Sequence, residues 1–157
     1  MSNISARRSL LLDELSTESR RYMAAYALFN QAAADHLGLH PTDLQCLNLL
    51  GLEKAPVATG RIAGLTGLTT GSATRLVDRL ERAGYVVRER DTTDRRRVLV
   101  AAVPEKMAEF GRLWQQLTAG WYQLFEQLDE DELALLIGHM RRTVEFSARQ
   151  TAQLRDA

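Results

Sequence analysis

Apolar side chains in the first third of the chain recur every three or four residues, which is the spacing of one helix face. The pattern predicts a long amphipathic helix from near Ser5 to about Gly38, because glycine can end a helix in a left-handed conformation. A second helix starts at Pro41 and is broken by Pro56. The apolar stripe of the first helix consists of Tyr22, Tyr26, Phe29, Ala33 and Leu37.

Two shorter helices, separated by a tight turn, are predicted next. The first covers about two turns around Ile62 and ends at Thr66-Gly67. Thr69 is a good N-cap for the second, and Gly84 is placed to end it. A short helix, a tight turn and a helix with one polar face predict a helix-turn-helix. The apolar face of its second helix consists of Ala73, Leu76, Val77 and Leu80.

The helix-turn-helix is followed by two β-favouring runs, Tyr85–Val87 and Val98–Val100. Asp91–Asp94 supplies turn formers between them, so we expect a β-hairpin. Three consecutive arginines, Arg95, Arg96 and Arg97, would then alternate between the faces of a strand. On that expectation all three cannot share one role, and one or two contact phosphate or stabilise the hairpin.

The last third of the chain is predicted to be helical again. Asp129 and Glu132 form a capping box that starts a final helix. Terminal helices with this much apolar surface usually cover a neighbour, and we expect a second subunit. A helix from about Glu105 to Gln127 is predicted by Phe110, Trp114, Leu117, Trp121, Leu124, Phe125 and Leu128.

The chain has 157 residues, a length that is enough for one domain with or without a helical appendage. Its formal net charge is zero. Its charge is nevertheless uneven, because residues 57–100 hold nine Arg against five acids. A basic region on a neutral protein indicates a local polyanion-binding face, and the alternative is a solvated charged surface. No apolar run approaches the roughly 18 residues of a membrane span. A single cysteine excludes an intrachain disulfide, and we expect a cytoplasmic protein without a membrane partner.

The second helix of a helix-turn-helix can enter the major groove of DNA, where short polar side chains and arginine reach base edges. Arg79 lies further along this helix, near phosphates, and could still reach a base. The alternative is a helix whose polar face meets water only. The candidate base-facing residues are Thr70, Ser72, Thr74 and Arg75, and Gly71 is a further DNA-binding candidate.

The arginine-rich hairpin strengthens the prediction of DNA binding. A tip that carries arginine suits the narrow minor groove, whose negative potential attracts guanidinium groups. Asp94 lies two residues before Arg96, which is close enough to pair with an arginine and fix its direction.

Residues 68–98, LTTGSATRLVDRLERAGYVVRERDTTDRRRV, resemble the winged helix-turn-helix of MarR-type transcriptional regulators. The similarity rests on the RLVDRLERAGYV run and on Asp94-Arg95-Arg96, and the order of the flanking helices extends it over nearly the whole chain. It implies a mainly α fold with a small β-hairpin wing between dimerisation helices. The implied segments are residues 1–40, 41–102 and 103–157, intertwined as a single domain.

The resemblance also implies a function. A homodimer would bind a pseudo-palindromic operator in double-stranded DNA, with the wing in the minor groove, Arg96 at the wing tip and Asp94 as its orienting partner. The regulator would be a repressor that responds to a small aromatic or anionic effector. Tyr22, Tyr26 and Trp114 are candidate pocket residues, and aromatic residues at this spacing also serve as packing. The chain departs from the family where residues 102–105, Ala-Val-Pro-Glu, replace a common L-T-x-x-G helix start.

Other chemistry finds little support in the sequence. His36 and His40 have a zinc-compatible spacing, but Gly38 and Pro41 interrupt the helix there, so we expect no metal site. No enzyme motif or cofactor-binding motif is recognisable, and we expect neither an enzyme nor a cofactor. Cys46 has no resolving cysteine and no basic residue close in sequence, which favours a buried structural thiol. Two alternatives remain: a winged-helix protein-interaction module and a redox sensor that acts through Cys46.

Overall fold

The computed structural model describes residues 6–156 and confirms a mainly helical fold with one small sheet. Within residues 6–156, no helix combines the length and the apolarity that crossing a membrane requires. The strands are β1 (Val57–Ala58), β2 (Val86–Arg90) and β3 (Val98–Ala102). The helices are α1 (Ala6–Leu37), α2 (Pro41–Leu50), α3 (Thr59–Thr66), α4 (Thr70–Arg82), α5 (Pro104–Leu117) and α6 (Glu130–Asp156), with a short 3-10 helix (Trp121–Phe125) before α6.

The chain divides into two compact units, Met1–Leu113 and Trp114–Ala157, and the boundary falls inside α5. The first unit contains the helix-turn-helix and the sheet, and the second contains the 3-10 helix and α6. In the first unit, α4 buries the apolar face that its sequence predicts. The largest fully buried side chains all belong to this unit: Leu44, Leu47, Ile62, Leu76, Leu80, Val77, Val86, Val100 and Cys46.

The predicted ends of α1, α3 and α4 are confirmed where the structure describes them, whereas α2 ends at Leu50, before the predicted break at Pro56. The start near Ser5 lies outside the described residues, and α1 ends at Leu37, with Gly38 at φ 66°. Thr69 caps α4 by accepting a 3.3 Å hydrogen bond from the backbone N–H of Ser72. Gly67 and Gly84 end α3 and α4 at φ 73° and 79°, values that glycine adopts without steric cost.

The sheet has three antiparallel strands in the order β1-β3-β2. The predicted hairpin is β2 with β3, in register from Val86 opposite Ala102 to Arg90 opposite Val98. On the other edge of β3, Val57 of β1 lies opposite Val100. The sequence does not reveal β1, because two residues are too few to show an alternating pattern.

The single helix predicted from about Glu105 to Gln127 is wrong. α5 begins at Pro104 and stops at Leu117, where the Thr118 hydroxyl donates to the Trp114 carbonyl at 2.8 Å. Gly120 follows in the left-handed region at φ 86°, and the 3-10 helix starts after it. The apolar spacing in the sequence continues across this turn. Over only five residues, the spacing of a 3-10 helix resembles that of an α-helix, so the sequence pattern predicted one helix and not two.

The start of the last helix agrees with the predicted capping box. The Glu132 backbone N–H donates to Asp129 Oδ1 at 2.8 Å, and Glu132 Oε2 accepts from the Asp129 backbone N–H at 3.0 Å. These two reciprocal bonds satisfy donors that every helix start leaves without an intrahelical partner.

The long terminal helices keep much apolar surface exposed within the single chain. α1 buries only Ala33 and Ala34 among its described residues. Exposed large apolar side chains on α1 are Leu10, Leu11, Leu12, Leu15, Tyr22, Met23, Tyr26, Leu28 and Phe29. Those of the second unit are Trp121, Tyr122, Leu124, Leu135, Ile137, Met140, Val144, Phe146 and Leu154.

Candidate nucleic-acid interface

The amino-terminal half of α4 presents a polar surface to solvent. Thr70, Gly71, Thr74 and Arg75 are exposed, and Ser72 is partly exposed. Ala73, Leu76 and Val77 on the other face of α4 are fully buried. Their packing holds the polar side chains toward solvent. The structure therefore brings all five of these DNA-binding candidates onto one helix surface.

Local hydrogen bonds already orient three of these side chains. The Thr74 hydroxyl donates to the Thr70 carbonyl at 3.0 Å, which leaves its oxygen lone pairs available. Ser72 Oγ accepts from the Thr69 hydroxyl at 3.1 Å and lies 3.4 Å from Arg75 Nη2. The surface thus offers hydroxyl acceptors and one guanidinium donor, the groups that read base edges in a major groove.

Arg79, the other candidate on α4, bonds to a buried carboxylate, and 42% of its own side chain stays exposed. Its Nε donates to Asp43 Oδ2 at 2.9 Å and its Nη2 donates to Asp43 Oδ1 at 2.6 Å. This hydrogen bonding to the carboxylate raises the pKa of Arg79, so the guanidinium stays charged. The Asp43 side chain is only 5% exposed, so α2 supplies a buried counter-charge that sequence reasoning did not connect to Arg79.

A second ion-pair cluster joins β2 to α4. Arg88 Nη2 donates to Asp78 Oδ1 at 2.6 Å, and Arg88 Nη1 donates to Glu81 Oε2. The Arg88 backbone N–H also donates to Glu81 Oε1 at 3.1 Å. These hydrogen bonds, led by the one to Asp78, raise the pKa of Arg88. The wing is therefore tied to the helix that would enter the major groove.

The three consecutive arginines of the wing are not strand residues, and the expectation that they alternate faces is wrong. β3 begins only at Val98. Arg95 and Arg96 occupy the middle of a β-turn that the Arg97 backbone N–H closes on the Asp94 carbonyl at 2.9 Å. A turn places adjacent side chains at one tip, whereas a strand would have separated them.

Two aspartates organise this turn through backbone bonds. Asp94 Oδ1 accepts from the Arg96 backbone N–H at 3.0 Å, so Asp94 contacts the main chain of Arg96. Asp91 Oδ1 accepts from the Thr93 backbone N–H at 2.8 Å, and Asp91 Oδ2 lies 3.7 Å from Arg97 Nη1. The Thr93 bond is the main cause that lowers the pKa of Asp91, with smaller contributions from Asp94 and Arg97.

The remaining arginines of this region keep their charge exposed. Within residues 6–156, no ion pair involves Arg75, Arg82, Arg90, Arg95 or Arg96. All five are exposed to solvent. The helix and the wing of the first unit therefore present uncompensated positive charge, which is what binding to phosphate requires.

Residues considered for other chemistry have structural roles. His40 caps α2, where its Nδ1 accepts from the Thr42 backbone N–H at 3.3 Å. Burial, with a smaller effect of Asp43, raises the pKa of the Cys46 thiol to about 11, so the reactive thiolate is scarce at neutral pH. Within the described part of the chain, no group of three His, Cys, Asp or Glu side chains is placed to hold a metal ion.

The candidate effector residues belong to both units of the chain. In the first unit, the rings of Tyr22 and Tyr26 lie 6.4 Å apart on α1, and the two residues are 65% and 51% exposed. In the second unit, Trp114 is half-buried on α5. The effector site remains a prediction.

Comparison with known proteins places this arrangement in a family. Residues 37–97 match the MarR family model. The chain is 39% identical to the HTH-type transcriptional regulator YcgE of Bacillus subtilis strain 168, over 82% of each chain. It is 26% identical to CouR of Rhodococcus jostii RHA1, solved with p-coumaroyl-CoA, with a TM-score of 0.66 over 88% of this chain and 94% of that one.

A MarR family protein from Bacillus stearothermophilus shares the fold, with a TM-score of 0.69 over 88% of this chain and 96% of that one, although only 19% of residues are identical. The resemblance carried by the helix-turn-helix and the wing is thus confirmed across the fold. The family consists of transcriptional regulators that bind DNA. This chain belongs to the MarR family of winged helix-turn-helix transcriptional regulators.

Proposed function

We propose that this protein is a homodimeric repressor that binds a pseudo-palindromic operator and leaves it when a small molecule binds. The observation that carries the DNA-binding surface is the joint exposure of the α4 polar face and of wing arginines without internal ion pairs. Arg88 links the two elements through α4 carboxylates, so they can dock as one body. Each half-site would receive one α4 and one wing.

In this proposal α4 reads base edges from its first turn and a half. Thr70, Ser72 and Thr74 supply hydroxyls, and Arg75 supplies a donor pair suited to guanine. Gly71 has no atom within 4 Å of the position where a side chain would begin, so the backbone there is open to close approach.

The wing reaches the minor groove through Arg95 and Arg96 at the turn, with Arg97 beside them. Asp94 orients Arg96 by holding its backbone N–H at 3.0 Å. A narrow minor groove concentrates negative potential, which favours an inserted guanidinium without a specific base contact.

Dimerisation is supported by the apolar surfaces that the single chain leaves exposed on α1 and on the second unit. Apolar areas of this extent on a soluble protein usually mark an interface. Two subunits related by a two-fold axis would match the symmetry of a pseudo-palindromic operator.

The effector is proposed to be a small aromatic or anionic molecule. CouR was solved with p-coumaroyl-CoA, and another structure of this fold, NadR, was solved with 4-hydroxyphenylacetate. Tyr22, Tyr26 and Trp114 are the proposed aromatic contacts. Release from DNA requires that the effector bind better to the free protein than to the DNA-bound one, and the coupling must be reciprocal.

Selection from a random-sequence DNA pool tests the proposal. The full chain should enrich duplexes with two related half-sites about one helical turn apart, and sedimentation should show two protein chains per selected duplex. Enrichment of a single half-site bound by one chain would contradict the dimeric model. No enrichment at all would contradict sequence-specific binding.

The effector is tested separately with a panel of aromatic acids and their CoA thioesters. A ligand should raise the melting temperature of the protein and weaken its binding to the selected duplex. A panel member that stabilises the protein without changing DNA affinity would contradict ligand-controlled release. As a matched test of the redox alternative, Cys46→Ser should leave DNA binding and its response to peroxide unchanged.

A further inference from the structure

Asp43 is a buried acidic residue in the first unit, which carries the candidate DNA-binding surface. It lies in the first turn of α2 and is the one polar or charged residue among the buried residues that the structure describes. Its carboxylate bonds to an arginine 36 positions later in the chain. A buried acid close to a DNA-binding surface repels phosphate, so its presence requires a compensating role.

The bond between Asp43 and Arg79 fixes an orientation as well as a distance. Nε and Nη2 donate in parallel to the two carboxylate oxygens, at 2.9 and 2.6 Å. A planar guanidinium bound in this bidentate manner can neither turn nor slide without losing one bond. The apolar contacts beneath α4 lack this directionality.

The neighbouring position on α4 bonds to a different element of the first unit. Asp78 immediately precedes Arg79 and binds Arg88 of β2. Consecutive helical residues point about 100° apart around the axis, so α2 and β2 hold α4 from different directions. Recognition of base edges tolerates errors of only about half an ångström and 10–20° in the reading element.

From this geometry we infer that Asp43 and Arg79 are positioning residues for operator recognition: the pair sets the rotation of α4, and Arg79 acts through α4 and not by touching DNA. This inference rests on the proposed operator binding. It makes a prediction opposite to simple electrostatics, because loss of the Asp43 charge should weaken specific binding, although removing an anion ordinarily strengthens binding to a polyanion.

The test compares two duplexes of equal length: one enriched from a random pool by the wild-type chain, and a scrambled version of it. Asp43→Asn and Arg79→Lys should each lose about tenfold or more on the selected duplex, comparable to the loss of one base contact. On the scrambled duplex, Arg79→Lys should stay within about twofold of the wild type because it keeps the charge, and Asp43→Asn should bind equally well or more tightly because it removes an anion. The matched control is Glu89→Gln, which removes an exposed charge on β2 that has no ion pair within residues 6–156. It should lose no affinity on either duplex.

The choice of Arg79→Lys separates positioning from phosphate contact. Lysine keeps the charge but cannot reproduce the bidentate bond. If Arg79→Lys binds both duplexes as the wild type does, while Arg79→Gln weakens both and lowers the salt slope by about one, then Arg79 is a phosphate ligand and the inference is wrong. Should Asp43→Asn fail to show cooperative thermal unfolding, Arg79→Lys alone decides.

A loss of folded protein is also recognisable, because it lowers both affinities by the same factor and would overturn the inference in favour of a folding role. Selective binding retained in both variants overturns the inference and leaves the proposed function intact. A wild-type chain that does not discriminate between the two duplexes overturns the proposed function, and this inference with it.

Discussion

Two sets of arginines in the same unit have opposite environments. The paired arginines, Arg79 and Arg88, bind carboxylates of neighbouring elements through short hydrogen bonds. The tip arginines, Arg95 and Arg96, have no ion pair within residues 6–156 and stand in an exposed β-turn. The arginines of this unit therefore include some that link elements through ion pairs and some that carry free charge. Only the positions of the acidic side chains distinguish the two kinds.

The two environments separate the source of DNA affinity from the source of the rigidity of the DNA-binding surface. Free guanidinium groups gain energy by releasing counterions from phosphate. Paired ones have already exchanged water for carboxylate, so they add rigidity and little further attraction to DNA.

The largest effect is expected at the wing tip. Arg96→Ala should weaken binding to the selected duplex by roughly 1–3 kcal/mol, because it removes the guanidinium that we propose to contact the minor groove. Fluorescence anisotropy at fixed salt measures the change. The melting temperature of Arg96→Ala should stay at the wild-type value. An unchanged DNA affinity would show that Arg96 is not part of the interface.

The second effect concerns folding. Arg88→Met should lower the free energy of unfolding by about 1 kcal/mol, a figure kept small because the cluster is partly exposed. Urea denaturation measures it. Arg95→Met serves as the control and should leave stability unchanged, so equal losses in both variants would erase the distinction between the two sets.

The third effect appears in the salt dependence of binding. Arg95→Ala should reduce the slope of log affinity against log salt by about one, as expected for one lost phosphate contact. Arg88→Met should leave that slope unchanged, since its charge is already neutralised internally. A reduced slope in Arg88→Met would show that the β2 arginine also reaches the phosphates.

The smallest effect is a local pH response in the wing. The folded wing lowers the pKa of the Asp91 carboxyl, so its contribution to wing order is complete above about pH 4 and is lost as pH falls through the lowered pKa. The backbone amide signal of Thr93 in NMR spectra should follow this titration, because Asp91 accepts its hydrogen bond. Asp91→Asn should abolish the response, and a Thr93 signal that does not move would contradict it.

Periodicity predicted α2 and α4 well, because each of these helices buries one apolar face. The Thr69 cap, the left-handed glycines and the buried face of α4 all follow from local rules. The hairpin also follows from local rules, since two β-favouring runs flank turn-forming residues. Its connection nevertheless extends beyond Asp94, because β3 begins only at Val98. Asp94 and Arg97 close that turn through backbone atoms, which carry no sequence signal.

The ion pairs were not predicted, because their partners are distant in sequence. One signal was available for Asp43: it lies four and seven residues before Leu47 and Leu50, on the inward face of α2. An acid at an inward position needs a cation, and the candidates could not be ranked without the packing of α2 near α4. The end of α5 at Leu117 was also not predicted, because the spacing of apolar residues does not show the effect of Gly120 on the backbone.

The position of β2 at the margin of the sheet has a further consequence. An outer strand exposes backbone groups that can recruit another extended chain and start aggregation. Here three of the five residues of that strand, Arg88, Glu89 and Arg90, are charged, and the opposite margin, β1, is only two residues long. Both margins thus resist strand addition, which lets an exposed, valine-containing hairpin remain available to a double helix and not to unfolded neighbours.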